Sequence, residues 1–309
     1  MKSVALIGSN GFIGRHLVRR LKREKDVSLF LFGRSDLSFF KEELPYTRIN
    51  FYDQESLKKN FEKIDLVYYL ASETIPSTSW EDPLIEMEKN LKPFLFFLEA
   101  VSKLNIKKIA FVSSAGTIYG TTEGKVNESF DKRPFSPYGI VKLTMENFLR
   151  YYQTKYQIQF DIYRLSNVYG EGQDTSKGLG IINTFIEKIK TEKKVTVFGD
   201  GGSTRNYIYV QDAVEFLTLS LSSMDKSGTY NVSSGDTFSI NQLLSILKST
   251  VSEDFEIVYE SGRKSDNSFI DLDNSDLVSN FQLYKFTDIR EGIRNTYIYI
   301  ESQIKSKIG

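Results

Sequence analysis

The chain contains no cysteine, which excludes disulfides, a thiol nucleophile and thiolate metal sites. It has a single histidine, His16, which argues against Ser-His-Asp hydrolysis and histidine-based zinc sites. His16 falls on the polar side of the first helical pattern and reads as solvated. Neither sign of charge is in excess, since Lys+Arg and Asp+Glu number 40 each, so no global field recruits nucleic acid or an acidic membrane surface. The apolar run Phe94 to Leu98 is far short of a membrane span. The first apolar stretch is too short and glycine-broken for a signal peptide. A cytoplasmic protein is expected, with no metal, no nucleic-acid partner and no membrane partner.

What is present is a chain of 309 residues, long for one core and suited to a large α/β domain with an attached lobe. The apolar run Val4 to Ile7 leads into Gly8-Ser9-Asn10-Gly11-Phe12-Ile13-Gly14 and then into a helical pattern from Arg15 to Leu21. A strand, a glycine turn and an amphipathic helix together present a helix N-terminus to a pyrophosphate. The spacing G-x-x-G-x-x-G shifts the turn by one residue from G-x-G-x-x-G.

Further strands are expected at Val27 to Phe32, Tyr46 to Phe51, Leu66 to Ala71, Lys108 to Ser113 and Phe160 to Leu165. Helices are expected at Gln54 to Phe61, Pro83 to Leu104 and Tyr138 to Tyr156. Such alternation indicates crossover units and a doubly wound parallel sheet. Near Asn167 the rhythm changes: a loop rich in Gly, Ser and Asp runs from Gly170 to Gly180, then a helix from Ile181 to Ile189 and a strand from Val195 to Phe198. The expected division is a nucleotide domain at 1–166 plus about 206–235, and a smaller α/β lobe at 167–205 and 236–309.

Tyr138-Gly139-Ile140-Val141-Lys142 is the strongest acid–base candidate, because residues four apart share a helix face. Free tyrosine, with a pKa of about 10, is a poor base at neutral pH. An ammonium ~5 Å away at an effective dielectric of ~20 favours the phenolate by roughly 3 kcal/mol, or about two pKa units. Tyr151 and Lys155 have the same spacing. Placement favours Tyr138: Ser136-Pro137 start its helix, and the strand-end loop Ser113-Ser114-Ala115-Gly116-Thr117 lies upstream to supply hydroxyls.

The glycine loop, Ser-Ser-Ala-Gly-Thr-Ile-Tyr-Gly, Tyr-x-x-x-Lys and Arg-Leu-Ser-Asn-Val-Tyr-Gly together resemble the extended short-chain dehydrogenase/reductases. More narrowly they resemble NAD-dependent epimerase/dehydratases of the UDP-glucose 4-epimerase type, and the likeness runs nearly end to end. The resemblance implies a Rossmann-type fold, with Tyr138 as base and Lys142 lowering its pKa and holding the nicotinamide ribose. It implies a pyrophosphate cradled by Gly8, Gly11 and Gly14, with Asn10, Phe12 and Ile13 in the same turn. Gly33, Arg34, Asn50, Phe51, Leu70, Ala71, Ser72, Asn90 and Ser113 complete the implied cofactor contacts. Ala115, Thr117, Tyr138, Asn167, Ile181, Phe198, Arg205 and Arg263 are the implied contacts to a UDP- or dTDP-linked sugar. The two arginines match a diphosphate clamp, a task suited to the planar guanidinium fork. Phe198 matches a residue packing on the base, and an ordinary strand phenylalanine explains it nearly as well.

Three departures from the family pattern stand out. Ala115 occupies the position expected to carry the substrate-binding hydroxyl, leaving Ser114 or Thr117 to take that role, with Thr117 preferred. Asn206 replaces an aspartate. The second strand ends in Gly33-Arg34, about 20 residues after Gly14, where NAD users carry an acid on the ribose 2′-hydroxyl. Both NAD and NADP are therefore open, and Asn50 likewise stands where an acid often meets the adenine. The leading expectation is a nucleotide-sugar 4-epimerase working by reversible hydride transfer to bound nicotinamide through a transient 4-keto sugar. The alternatives are an NADPH-dependent reductase of a 4-keto-6-deoxy nucleotide sugar and a non-catalytic dinucleotide-binding protein. The family often dimerises through two helices, for which Pro93 to Leu104 and Met145 to Tyr156 are candidates, although an intramolecular face explains them equally.

Overall fold

The computed structural model describes all residues except 41, 123, 177, 263–268, 282, 283 and 309. In chain order the elements begin with β1 (Lys2–Ile7), α1 (Phe12–Leu21), β2 (Val27–Gly33), β3 (Tyr46–Arg48), α2 (Gln54–Phe61) and β4 (Leu66–Tyr69). Helices α3 (Pro76–Glu81) and α4 (Pro83–Glu86) follow, then a π-helical turn (Met87–Leu91), α5 (Lys92–Val101), β5 (Lys108–Ser114) and the short α6 (Ala115–Ile118). Next come β6 (Lys125–Val126), α7 (Pro137–Tyr156), β7 (Gln159–Leu165), β8 (Asn167–Tyr169), α8 (Ile181–Glu192), β9 (Lys194–Phe198) and β10 (Thr204–Tyr209). Then α9 (Val210–Leu217), α10 (Leu219–Ser222), β11 (Gly228–Val232), β12 (Thr237–Ser239) and α11 (Ile240–Thr250). The last elements are β13 (Glu256–Glu260), β14 (Asp271–Leu272), α12 (Ser275–Val278) and α13 (Ile289–Ile308).

Two compact units result. The first comprises Met1–Gly120, Asp131–Leu165 and Val214–Tyr230. Its sheet has the order β11-β7-β5-β4-β1-β2-β3, and the pairs from β7 across to β3 are parallel. The chain starts at β1, winds out to β3, and returns on the other side at β4. The direction of winding therefore reverses between β1 and β4, the place where an open parallel sheet leaves a crevice at its strand C-termini. Ile7 pairs with Tyr69, and the Leu70 amide donates to the Ile7 carbonyl at 2.9 Å, so the glycine turn and the end of β4 sit side by side there. Strands β1 and β4 are near-continuous apolar runs because helices cover both faces. One face packs an aromatic core in which Phe32, Phe61, Tyr69, Phe94, Phe97 and Phe111 meet ring to ring. The apolar faces of α5 and α7 at Phe94, Phe97, Met145, Leu149 and Tyr152 are spent in this core.

The second unit comprises Thr121–Phe130, Ser166–Ala213 and Asn231–Gly309. It holds the three-stranded sheet β12-β10-β8 and the two-stranded pairs β13-β9 and β14-β6. The second unit departs from the sequence division at 121–130, 206–213 and 231–235. Residues 206–213 belong to the second unit because β10 pairs with β8 and β12, and 121–130 belong there because β6 pairs with β14.

His16 corrects the sequence reading: it is only 5% exposed, with its ring edge-on to Phe12 at 5.6 Å. Arg20, one turn further on, pairs with Glu215 of the segment that rejoins this unit, so this side of α1 is covered. The helix expected at Pro83 to Leu104 is also interrupted. Pro93 has no amide to donate, and just before it the Lys92 amide reaches back to the Met87 carbonyl, giving the π-helical turn.

Candidate active site

The glycine turn is built by steric necessity. Gly8 has φ +93, and a Cβ there would stand 3.0 Å from the backbone of Leu70 and Ala71. A Cβ on Gly14 would fall 2.2 Å from the Gly8 carbonyl oxygen, so α1 can approach the turn this closely only with glycine. Gly11 caps α1 without a side-chain hydrogen bond, and no acid lies in the first turn. The first-turn amides are thus left to an anionic group, and the cradle fits a pyrophosphate.

The other implied cofactor residues divide by position. Leu70, Ala71 and Ser72 lie beside the cradle at the end of β4. Asn10 is committed elsewhere: its Nδ2 donates to Ser35 Oγ at 2.9 Å and the Leu37 carbonyl at 2.8 Å, while its Oδ1 accepts from the Phe39 amide. Phe12 packs on His16, and Ile13 is half-buried. Gly33 admits the Tyr46 ring, whose Oη would lie 2.6 Å from a Cβ there. Arg34 pairs with Glu73. Asn50 closes a local turn by accepting from the Tyr52 amide, and Phe51 is a core residue.

At the end of β5, Ser113 is buried and donates to Glu146 at 2.7 Å. Glu146 also accepts from Arg164 at 3.1 and 2.7 Å, and Arg164 donates on to Tyr119 Oη at 2.8 Å. Ala115 is fully buried. Ser114 makes no side-chain hydrogen bond among the described residues, and Thr117 makes only a long one to the Ser114 carbonyl at 3.5 Å. Both hydroxyls are therefore available to a ligand.

Helix α7 starts where the sequence indicates. Ser136 caps it by accepting from the Gly139 amide at 3.2 Å, and Pro137 fills the first position. A Cβ on Gly139 would meet the Thr117 carbonyl oxygen at 2.4 Å, so this glycine lets α7 dock on α6 and puts Tyr138 next to the hydroxyl loop. The Tyr138 amide donates to Ser79 Oγ of α3 at 3.3 Å. Lys142 Nζ lies 5.6 Å from the centre of the Tyr138 ring and 5.1 Å from that of Phe111, and donates to the Val112 carbonyl at 3.2 Å. The alternative pair differs in setting, since Tyr151 is 50% exposed.

The electrostatics correct one expectation. Tyr138 is not lowered: burial pushes it up to about 12, with Ser72 acting against burial and the Glu86 carboxylate adding to it. Burial pushes Lys142 down to about 8, opposed by Glu86 and Glu146. Desolvation is the largest cause of both shifts, and Lys142 faces the ring of Tyr138. At neutral pH the pair is a phenol beside an ammonium.

Several site residues gave no usable signal in the sequence. Asn90 does not project freely. Its Oδ1 accepts from the Glu73 amide at 2.9 Å, and its Nδ2 donates to Thr74 at 2.5 Å and Glu86 at 2.8 Å. A glutamate on a helix reads as solvated, so Glu86 went unmarked. Arg164 opens the Arg-Leu-Ser-Asn-Val-Tyr-Gly motif but carries no assigned role there, and Glu146 offers only its spacing four residues after Lys142.

In the second unit, Asn167 donates to the Asn206 carbonyl at 2.9 Å. Asn206 is buried and pins two strands, donating to the Asp236 carbonyl at 3.0 Å and accepting from the Leu272 amide at 2.8 Å. Ile181 opens α8, and Phe198 lies on the face of β9 opposite buried Val195 and Val197. Arg205 is on β10 and donates to the Thr204 carbonyl at 2.8 Å. Arg263 lies outside the described residues. Among the described residues no cluster could hold a metal ion, and no helix is long and apolar enough to cross a membrane.

The model of the NAD dependent epimerase/dehydratase family matches residues 4–233. A putative UDP-glucose 4-epimerase of Methanocaldococcus jannaschii is 30% identical over 304 residues, 97% of this chain and 98% of that protein. The crystal structure of Thermotoga maritima UDP-glucose 4-epimerase with UDP-glucose superposes with a TM-score of 0.90 at 27% identity, covering 98% of this chain and 99% of the other. That of the Thermus thermophilus UDP-glucose 4-epimerase in complex with NAD gives 0.88 at 28% identity, covering 97% and 99%. The chain belongs to the NAD dependent epimerase/dehydratase family, as an extended short-chain dehydrogenase/reductase enzyme similar to the UDP-glucose 4-epimerases.

Proposed function

We propose that the protein is a nucleotide-sugar 4-epimerase acting on a UDP-linked sugar. The observation that carries this reading is the placement of Tyr138 and Lys142 on one helix face, with Gly139 docking that helix on the loop that carries Ser114 and Thr117. Bound in the glycine cradle, a nicotinamide dinucleotide supplies a hydride acceptor and, when oxidised, a positive ring that favours the phenolate. As the phenolate, Tyr138 would take the proton that leaves the sugar hydroxyl, and as the phenol it would return that proton to the same oxygen in the product. Burial pushes the phenol up to about 12, so the phenolate that accepts the sugar proton would depend on the positive nicotinamide ring and on Lys142. Lys142 keeps the local field positive, and Thr117 or Ser114 orients the sugar hydroxyl toward the phenol.

Asn167, Ile181, Phe198 and Arg205 of the second unit, with Arg263, are our proposed contacts to the sugar nucleotide. For the cofactor we propose NAD(H) over NADP(H). Glu73 brings to Arg34 the carboxylate that Gly33 lacks, and Lys89 Nζ lies 3.5 Å from the same carboxylate. A 2′-hydroxyl suits an acid there, whereas a 2′-phosphate meets repulsion. A homodimer is part of the proposal, with exposed Ile140 and Tyr151 of α7 on the contacting face.

The test incubates purified protein with a panel of UDP- and dTDP-linked sugars and resolves the isomers by chromatography. Interconversion without net change in nicotinamide absorbance is expected. Stoichiometric loss of NADPH absorbance would instead establish a reductase.

A further inference from the structure

Tyr138 and Lys142 have a buried neighbour that the reaction described above does not use. Glu86 is 1% exposed and ends α4, where the helix passes into the π-helical turn. Its Oε2 accepts from Asn90 Nδ2 at 2.8 Å, while its Oε1 is buried without a hydrogen-bond partner among the described residues. A buried carboxylate oxygen without a partner is costly unless charge nearby offsets it. Both α4 and the π-helical turn pack against α7. On that helix Lys142 is 5% exposed and places one of its three donors, on the Val112 carbonyl. An under-satisfied carboxylate and an under-satisfied ammonium, both buried, thus sit on helices that pack together.

We propose that Glu86 is a positioning residue of the active site, a buried carboxylate whose charge sets the protonation of Lys142 and Tyr138 together. The proposal rests on the reading of these two residues as the proton-transfer pair. Glu86 acts on both groups in the same sense, favouring the proton-bound form of each. Other groups around it are accounted for. Glu146 acts on Lys142 from one turn further along α7. Thr74 and Ser79, from the loop after β4 and from α3, are neutral. Glu81, Asp82 and Glu88 are exposed, and Arg34 and Lys89 are paired with Glu73. Glu86 adds to Glu146 in keeping the ammonium charged against its own burial, and the Asn90 bond holds the Glu86 carboxylate in place.

Glu86→Gln keeps the shape and removes the charge. The test follows Lys142 by 13C NMR of lysine-labelled full-length protein, its signal assigned by loss in Lys142→Arg. In Glu86→Gln the Lys142 titration should fall by about one pKa unit or more. Both limbs of the kcat–pH profile should move to lower pH, with KM little changed. A Lys142 titration at the wild-type pH in the folded variant would overturn the proposal, even with lowered activity or stability. Should Glu86→Gln fail to fold, Glu86→Asp carries the test: withdrawal of the carboxylate should give a smaller downward shift, and an unmoved titration overturns the proposal. Because the NMR signal needs no turnover, an inactive protein with the expected shift would count against the epimerase reading alone.

Discussion

Lys142 Nζ lies 5.6 Å from the centre of the Tyr138 ring, one turn away on α7, yet the phenol is pushed up rather than down. Burial, the largest cause acting on each, sets the direction of both shifts. Tyr138→Phe removes the proton carrier and keeps the ring. It should lower kcat by about 10²–10⁴-fold while leaving dinucleotide and UDP binding within about twofold, measured by calorimetry. Unimpaired turnover would remove Tyr138 from the chemistry.

Lys142 makes a prediction about pH. Burial has lowered it from 10.5 to about 8, so the folded chain holds this proton less tightly than the unfolded chain. Between those values the unfolded state binds more protons, and this group's contribution to stability rises with pH; below about 8 its penalty is present in full. Lys142→Met should therefore keep or raise the melting temperature at pH 7 while suppressing turnover. A fall in melting temperature together with retained activity would contradict this assignment.

The close contacts of two glycines can be tested against a control. Gly139→Ala places a methyl 2.4 Å from the Thr117 carbonyl oxygen, and backbone must move. A loss of about 1–3 kcal/mol is expected, with a larger loss of kcat than of nucleotide affinity. Gly14→Ala, 2.2 Å from the Gly8 oxygen, should abolish dinucleotide binding. Gly116 has nothing within 4 Å of its added Cβ, and Gly116→Ala should fold and bind normally. Chemical denaturation and calorimetry read all three.

The choice of dinucleotide turns on Glu73. Glu73→Gln should free Arg34 and raise NADP⁺ affinity about tenfold relative to NAD⁺, as the removed carboxylate no longer repels a 2′-phosphate. Fluorescence titration of each dinucleotide reads this directly. An unchanged ratio would place the ribose elsewhere.

What the sequence made legible was local. The glycine turn, the Ser136 cap and the Tyr138–Lys142 spacing depend on residues a few positions apart, and each is found at the expected place. What it hid depends on contacts between distant segments. His16 is buried against Phe12 on the side of α1 where Arg20 pairs with Glu215, and Glu86 is buried where α4 packs on α7. The direction of the Tyr138 shift was misread for the same reason: a Coulomb estimate needs one neighbour, whereas desolvation needs the whole surrounding. The interrupted helix around Pro93 was in principle readable, since proline removes an amide, but its outcome as a π-helical turn was not.

The most direct measurement uses a UDP-sugar deuterated at C4, incubated with the purified protein in ordinary water. Reversible hydride transfer predicts a C4 epimer that retains its deuterium, with no net change in nicotinamide absorbance. Washout of the label to solvent, or a stoichiometric change in that absorbance, would contradict it.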